Sequence, residues 1–221
     1  MSQKQYEAVV FDMDGVIFDS ERVIMNCWIE IAEKDGINNI EEHYHKCTGA
    51  TVEKGREILK EAYGENFPYD EYIERVYSLY RERYSGGRLP MKPGVKELLS
   101  YLKKENKKIA LASSTNSEMV ISQLRDANII RFFDEIVCGD MVERSKPAPD
   151  IFLAACEKIG VKPHNAYAVE DSYNGIKAAY AGGLRAIMVP DLMPANDEMR
   201  EKTEAVLDSL FDVISYLKGE I

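Results

Sequence analysis

Asp12 and Asp14 stand two residues apart, directly after the short apolar run Glu7-Ala8-Val9-Val10-Phe11. On an extended chain that spacing turns both carboxylates to the same side. Three other polar sets follow similar runs: Ser113-Ser114-Thr115-Asn116, Lys146 within Ser145-Lys146-Pro147-Ala148-Pro149, and Glu170-Asp171-Ser172. Gathered at one place, Asp12, Asp14, Glu170 and Asp171 would repel and raise each other's pKa values. A hard divalent cation relieves that repulsion, and oxygen ligands with retained waters suit Mg²⁺. Such an ion also bridges to a phosphoryl oxygen and offsets its charge. Lys146 is the compensating protein cation. Ser113, with the backbone N–H groups of a following helix start, can hold phosphate oxygens. Phosphoryl transfer needs positioning and charge neutralisation above all.

The elements that must bring these sets together are legible as periodicity. Apolar runs recur at Lys108–Ala112, Glu135–Cys138, Ala166–Val169 and Arg185–Val189. They are too short for helices and suit strands buried on both faces. Helical stripes lie between them: Val95, Leu98, Leu99 and Leu102; Ile121, Leu124 and Ala127; Phe152, Leu153, Cys156 and Ile159. Ser117 reads as an N-cap and Gly182-Gly183 as a helix stop. Strands alternating with helices predict an α/β fold, a doubly wound parallel sheet of Rossmann-like type. Ligands of such sheets bind beyond the carboxyl ends of the strands, where all four polar sets fall.

One segment breaks the alternation. Residues 17–88 carry only helical patterns: one after Ser20, a second around Val52 to Tyr63, and a third after Pro68 with a stripe of tyrosines from Tyr72 to Tyr84. Seventy residues are too many for a loop. The expected organisation is a core domain of residues 1–16 and 89–221 and an inserted helical domain of residues 17–88. Val16 to Asp19 and Gly86, Gly87 and Pro90 are its expected links.

Each polar set taken alone has an ordinary explanation. A DxD is often a solvated loop end, Ser-Ser-Thr-Asn a cap or turn, Lys146 a surface lysine, and Glu170-Asp171 a helix start favoured by the dipole. Their occurrence together, in order, each after an expected strand, is what the ordinary explanations do not cover. His43, His45 and His164 show no ligand spacing and read as surface or packing residues. The tyrosine stripe reads as helical core.

The 221 residues are 45% hydrophobic with a formal net charge of −10. No Lys/Arg-rich block invites nucleic acid or a membrane surface. No stretch approaches the roughly 18 apolar residues of a membrane span. The N-terminus MSQKQYEAVVF has no signal-peptide core. Cys27, Cys47, Cys138 and Cys156 are widely spaced and read as buried thiols in a reducing compartment. The expectation is a cytoplasmic monomer acting on a small phosphorylated metabolite, with no nucleic-acid or membrane partner.

Four segments carry a family resemblance. Asp12-Met-Asp14-Gly-Val-Ile-Phe-Asp19-Ser20-Glu21 resembles the first signature motif of the haloacid dehalogenase superfamily. Leu111-Ala-Ser113-Ser, Lys146-Pro-Ala-Pro-Asp150 and Val169-Glu170-Asp171-Ser-Tyr-Asn-Gly175 resemble the second, third and fourth. The insert resembles the small helical cap of the beta-phosphoglucomutase-like phosphatase branch. The resemblance implies that Asp12 attacks phosphorus and forms an aspartyl-phosphate. Asp14 then protonates the leaving oxygen and later deprotonates the hydrolytic water. Ser113 and Lys146 hold the phosphoryl group. The metal set is Asp12, Asp14 through its carbonyl, Glu170 and Asp171. Gly15, Ser114 and Asn116 are expected at the phosphate. Glu21 and the loop Thr48, Gly49, Ala50 and Thr51 are expected at the substrate, facing Asp12.

Asp14 argues against a dehalogenase, because a halide leaves without a proton. The imine-forming lysine of the superfamily's phosphonate hydrolases has no counterpart. The beta-phosphoglucomutase pattern has a cap histidine where Ile24 stands, and an arginine after a loop that here reads Thr48-Gly49-Ala50-Thr51-Val52. A hydrolase is therefore expected, with a sugar phosphomutase as the alternative. A response-regulator-like receiver is the third reading, disfavoured by the insert and by Asp14.

Overall fold

The computed structural model describes residues 5–47 and 52–221. Its sheet has six parallel strands: β1 Ala8–Phe11, β2 Lys108–Ser113, β3 Glu135–Cys138, β4 Ala166–Glu170, β5 Arg185–Met188 and β6 Ala205–Val206. Their order is β3-β2-β1-β4-β5-β6. β1 and β4 are buried along their whole length. This burial selects the unbroken apolar runs that the sequence displays. Alternate residues go to opposite faces. Ala8, Val10, Ala110, Ala112, Ala166, Ala168, Ala186 and Met188 form one core with Ile151, Phe152, Ala155, Cys156 and Ile176. Small alanines on that face let helices α7 (Asp150–Ile159) and α8 (Tyr173–Ala181) approach closely. Val9, Phe11, Ile109, Leu111 and Ile187 are the buried opposite parity. The fold is the expected doubly wound α/β sheet.

Register sets the site. Phe11 is level with Leu111 of β2 and with Val169 of β4. Asp12, one residue on, therefore lies level with Ala112 and Glu170, and its N–H donates to Val169 O at 3.0 Å. Helix α6 (Ser117–Asp126) is capped by Asn116, whose side chain accepts from Met119 N, and not by Ser117 as expected. Two good capping residues stand side by side there, and the backbone turn decides between them.

The chain forms two compact units, one running up to Asp19 and from Leu89–Ile221, the other Ser20–Arg88. The first unit keeps residues 17–19 because Ile17 and Phe18 are fully buried. Asp19 N–H donates to Pro90 O and Lys92 N–H to Ile17 O, both at 2.9 Å. Lys92 ties this pairing down by ion pairs to Asp191 at 2.7 Å and Asp19 at 3.5 Å. At the expected links, Ile17, Asp19 and Pro90 are thus held by backbone pairing. Gly86 and Gly87 are exposed and both have positive φ.

The second unit holds α1 (Ser20–Asp35), α2 (Ile40–Cys47), α3 (Val52–Tyr63) and α4 (Tyr69–Tyr84). Trp28 packs edge-on against Tyr44 and Tyr72, and the Tyr72 hydroxyl donates to Trp28 O at 2.5 Å. Tyr72, Val76 and Tyr80 are core. His43 stacks edge-on against Tyr63, whereas His45 and His164 are exposed. The four cysteines are unpaired thiols. Among the described residues, no helix is long and apolar enough to cross a membrane.

Candidate active site

The carboxyl ends of β1, β2 and β4 deliver Asp12, Ser113 and Glu170, all buried. Lys146 reaches them from the loop before α7, a loop braced by Arg144, whose guanidinium donates twice to Asp150 at 3.0 and 2.8 Å. The Lys146 ammonium donates to Asp12 Oδ1 at 2.5 Å, Ala112 O at 2.9 Å and Glu170 Oε1 at 2.7 Å. An ammonium has three protons, and these three acceptors match them. Burial works to lower the Lys146 pKa, but Asp12 and Glu170 outweigh it and hold the amine well above its ordinary value. Burial pushes Asp12 up, opposed by Lys146 and reinforced by Glu170 and Asp14.

Glu170 is engaged through both oxygens. Its Oε2 accepts from the N–H groups of Asp171 and Ser172 and from the Ser172 hydroxyl, each at 3.0 Å. Ser172 also caps α8, accepting from Gly175 N. Gly175 makes room for this arrangement, since a Cβ there would lie 1.7 Å from Glu170 Oε1. Gly15 does the same for Asp171: it has φ of 78°, and a Cβ would lie 2.2 Å from Asp171 Oδ2. Asp14 is bonded through Oδ2 to the Thr115 hydroxyl at 2.8 Å. Ser113 Oγ accepts from Thr115 N at 3.1 Å. Ser114 is exposed, and Asn116 spends its side-chain oxygen on the helix cap.

The donor set fits a hard cation. Asp12, Glu170 and Asp171 each bring a carboxylate oxygen within 4.8 Å of the others. Three carboxylates lie together with the one ammonium of Lys146, a formal surplus of two negative charges, and Asp12 and Asp171 are under a tenth exposed. A divalent ion matches that surplus, and oxygen donors suit Mg²⁺. The Asp14 side chain is not part of this carboxylate cluster, so its expected contribution is the main-chain carbonyl.

In the helical unit, the Glu21 carboxylate accepts from the Tyr44 hydroxyl at 2.8 Å. Thr48, Gly49, Ala50 and Thr51 lie outside the described residues. Thr115 and Ser172 stand in the polar sets of the sequence without a role of their own, and Gly175 stands in the fourth motif without one. A signal for Gly175 was present: glycine is the poorest helix former after proline, so one in a helix's first turn calls for a packing reason.

A family model for haloacid dehalogenase-like hydrolases matches residues 9–189. The chain is 34% identical over 181 residues to the phosphorylated carbohydrates phosphatase of Thermotoga maritima, covering 82% of this chain and 83% of that protein. It is 32% identical to the beta-phosphoglucomutase of Bacillus subtilis over 93% of this chain and 94% of that protein. A CbbY variant from Rhodobacter sphaeroides, solved with xylulose-(1,5)bisphosphate, superposes with a TM-score of 0.68 at 27% identity, covering 93% of this chain and 95% of that one.

Proposed function

The chain belongs to the haloacid dehalogenase-like hydrolase family, and on that premise we propose that it is a Mg²⁺-dependent phosphatase of small phosphorylated metabolites, sugar phosphates foremost. The observation that carries this reading is the Lys146 ammonium held at 2.5 Å from Asp12 and 2.7 Å from Glu170, with Asp171 alongside. Asp12 attacks phosphorus and takes the phosphoryl group as an acyl phosphate. Asp14 gives a proton to the departing alkoxide oxygen as the P–O bond breaks. It then takes a proton from water as that water attacks phosphorus, freeing Asp12 and inorganic phosphate. Lys146 keeps the attacking carboxylate aimed and offsets charge on the phosphoryl oxygens, and Ser113 donates to one of them. Asp12, the Asp14 carbonyl and Asp171, with Glu170 beside them, would hold Mg²⁺, which would supply further positive charge at the phosphoryl group. Glu170 supports from behind, since its oxygens already serve Lys146 and the Asp171–Ser172 backbone.

The helical unit is assigned substrate choice, with Glu21 as its first contributor. Glu21→Gln is expected to reorder substrates by kcat/KM while sparing the chemistry.

Similarity to a beta-phosphoglucomutase favours a second reading, a phosphomutase. Ile24 in place of the cap histidine weighs against it. Phosphate release from a panel of sugar phosphates, with Mg²⁺ and with EDTA, tests the first reading. A glucose 6-phosphate product assay from glucose 1-phosphate with a bisphosphate primer tests the second. Asp12→Asn should lower turnover at least about a thousandfold, roughly 4 kcal/mol of transition-state stabilisation. Activity within about tenfold of wild type, or full activity in EDTA, contradicts the proposal.

A further inference from the structure

We propose that Thr115 is a positioning residue that aims the Asp14 carboxyl at the leaving oxygen. The inference rests on the reading of Asp14 as acid and base given above. The Thr115 hydroxyl donates to Asp14 Oδ2 at 2.8 Å, although 101 positions separate the two residues in sequence.

Both ends of this contact are set by backbone. Thr115 N donates to Ser113 Oγ at 3.1 Å, and Thr115 O accepts from Gly139 N at 3.0 Å. Gly139 lies so close to the strand end that a Cβ on it would meet Ser114 O at 2.1 Å. On the far side, Asn116 caps α6, and Asp140 accepts from Ser117 N at 3.0 Å and from Ser117 Oγ at 2.6 Å. Thr115 is therefore clamped before and after. Asp14 is clamped likewise. Ile17 N and Phe18 N both donate to Met13 O, at 2.8 and 3.0 Å, and Gly15 N donates to Phe18 O at 2.9 Å. What remains to Asp14 is rotation of its side chain, and the Thr115 hydroxyl restrains that rotation.

The residue type suits the task. A lysine or a backbone N–H in this position would only donate, and would favour the ionised carboxylate. A hydroxyl donates and accepts, so it holds the carboxyl's direction without dictating which form it takes. A misplacement of about 1 Å in a reacting group costs about a hundredfold in rate, which sets the scale of the expected effect.

The test is a leaving-group comparison in single turnover, with saturating Mg²⁺. One substrate is the sugar phosphate that the wild type hydrolyses fastest, whose alkoxide needs a proton to depart. The other is 4-nitrophenyl phosphate, whose nitrophenolate departs without one. Thr115→Val keeps the volume and removes the hydroxyl. It is expected to slow alcohol release from the sugar phosphate by about ten- to a hundredfold and to leave nitrophenolate release close to wild type. Thr115→Ser should restore the alkyl rate. Asp14→Asn, measured alongside, should show the same split more strongly. If Thr115→Val slows both substrates equally, its role is structural; if it slows neither, Asp14 needs no such guide. Either result overturns the inference. If Asp14→Asn itself shows no split, the acid assignment fails first, and that failure is visible separately.

Discussion

The carboxyl end of the sheet and the surface of the helical unit both pair acids with bases, in opposite surroundings. At the sheet, the Lys146, Asp12 and Glu170 side chains are 7%, 10% and 0% exposed. In the helical unit, Arg75 holds Asp35 through two bonds of 2.5 and 2.8 Å and Arg83 grips Glu30, yet these four side chains are 28–45% exposed. Water screens the second group, so its pairs add little to stability. The first group has given up its hydration, which costs several kcal/mol per ion. A fold does not need such an arrangement for stability alone, and its presence at the end of three strands marks chemistry.

The largest effect should come from removing the buried cation. Lys146→Met leaves Asp12 and Glu170 facing one another without compensation, and is expected to lower unfolding free energy by about 3–5 kcal/mol in metal-free buffer. Urea titration measures it. Glu30→Gln, on the helical unit's surface, should leave the unfolding midpoint where it was. Equal losses from the two would erase the distinction drawn above.

Helical glycines sharpen the contrast. Gly175→Ala would drive a methyl into the Glu170 carboxylate, 1.7 Å away. The expected loss is about 1–3 kcal/mol, together with most of the phosphatase activity. Gly55→Ala in α3 meets the Tyr69 hydroxyl at 3.1 Å, with Cys47 Sγ in ordinary contact at 3.8 Å. That hydroxyl ends a side chain able to shift, so the substitution should be neutral or stabilise by up to about 1 kcal/mol. Thermal unfolding of both variants beside a phosphate-release assay decides it.

The acids and the lysine were legible in the sequence because each follows a strand whose unbroken apolar run advertises burial on both faces. What escaped notice lacks such a signal. Strand β6 is the pair Ala205–Val206, too short to show a period. Helix α2 buries only Ile40 and Tyr44 among eight mostly polar residues, so it has no stripe. The type and place of Glu170 mark it as an acid of the metal site, but its bonds to Lys146, Ser172 and two backbone N–H groups have no signal in the spacing. Thr115 was invisible as a partner of Asp14 because their proximity is made by the β1–β2 pairing and not by spacing.

A smaller effect lies away from the site. Glu204 accepts from Arg185 at 2.6 and 2.7 Å, from Tyr216 at 2.8 Å and from Tyr167 at 3.1 Å. Arg185, chiefly, against the opposing pull of burial, holds its carboxyl down from 4.5 to about 2. A depressed carboxyl contributes stability that is full above its ordinary range and is lost as pH falls through the depressed value. Glu204→Gln should therefore flatten the fall in unfolding free energy between pH 4.5 and about 2. An unchanged slope would mean that the Arg185 contact does not outlast solvent screening.

The central claim is that Asp12 carries the phosphoryl group. It is tested most directly in Asp14→Asn given 4-nitrophenyl phosphate and Mg²⁺. That leaving group departs without an acid, whereas the second step still lacks its base, so the phosphorylated enzyme should accumulate. The account predicts a burst of one nitrophenolate per active site and, after acid quench, a peptide heavier by one phosphoryl group at Asp12. The same treatment of a variant that also carries Asp12→Asn should yield neither. A phosphoryl group found on Ser113, or steady phosphate release with no labelled peptide and no burst, would contradict it.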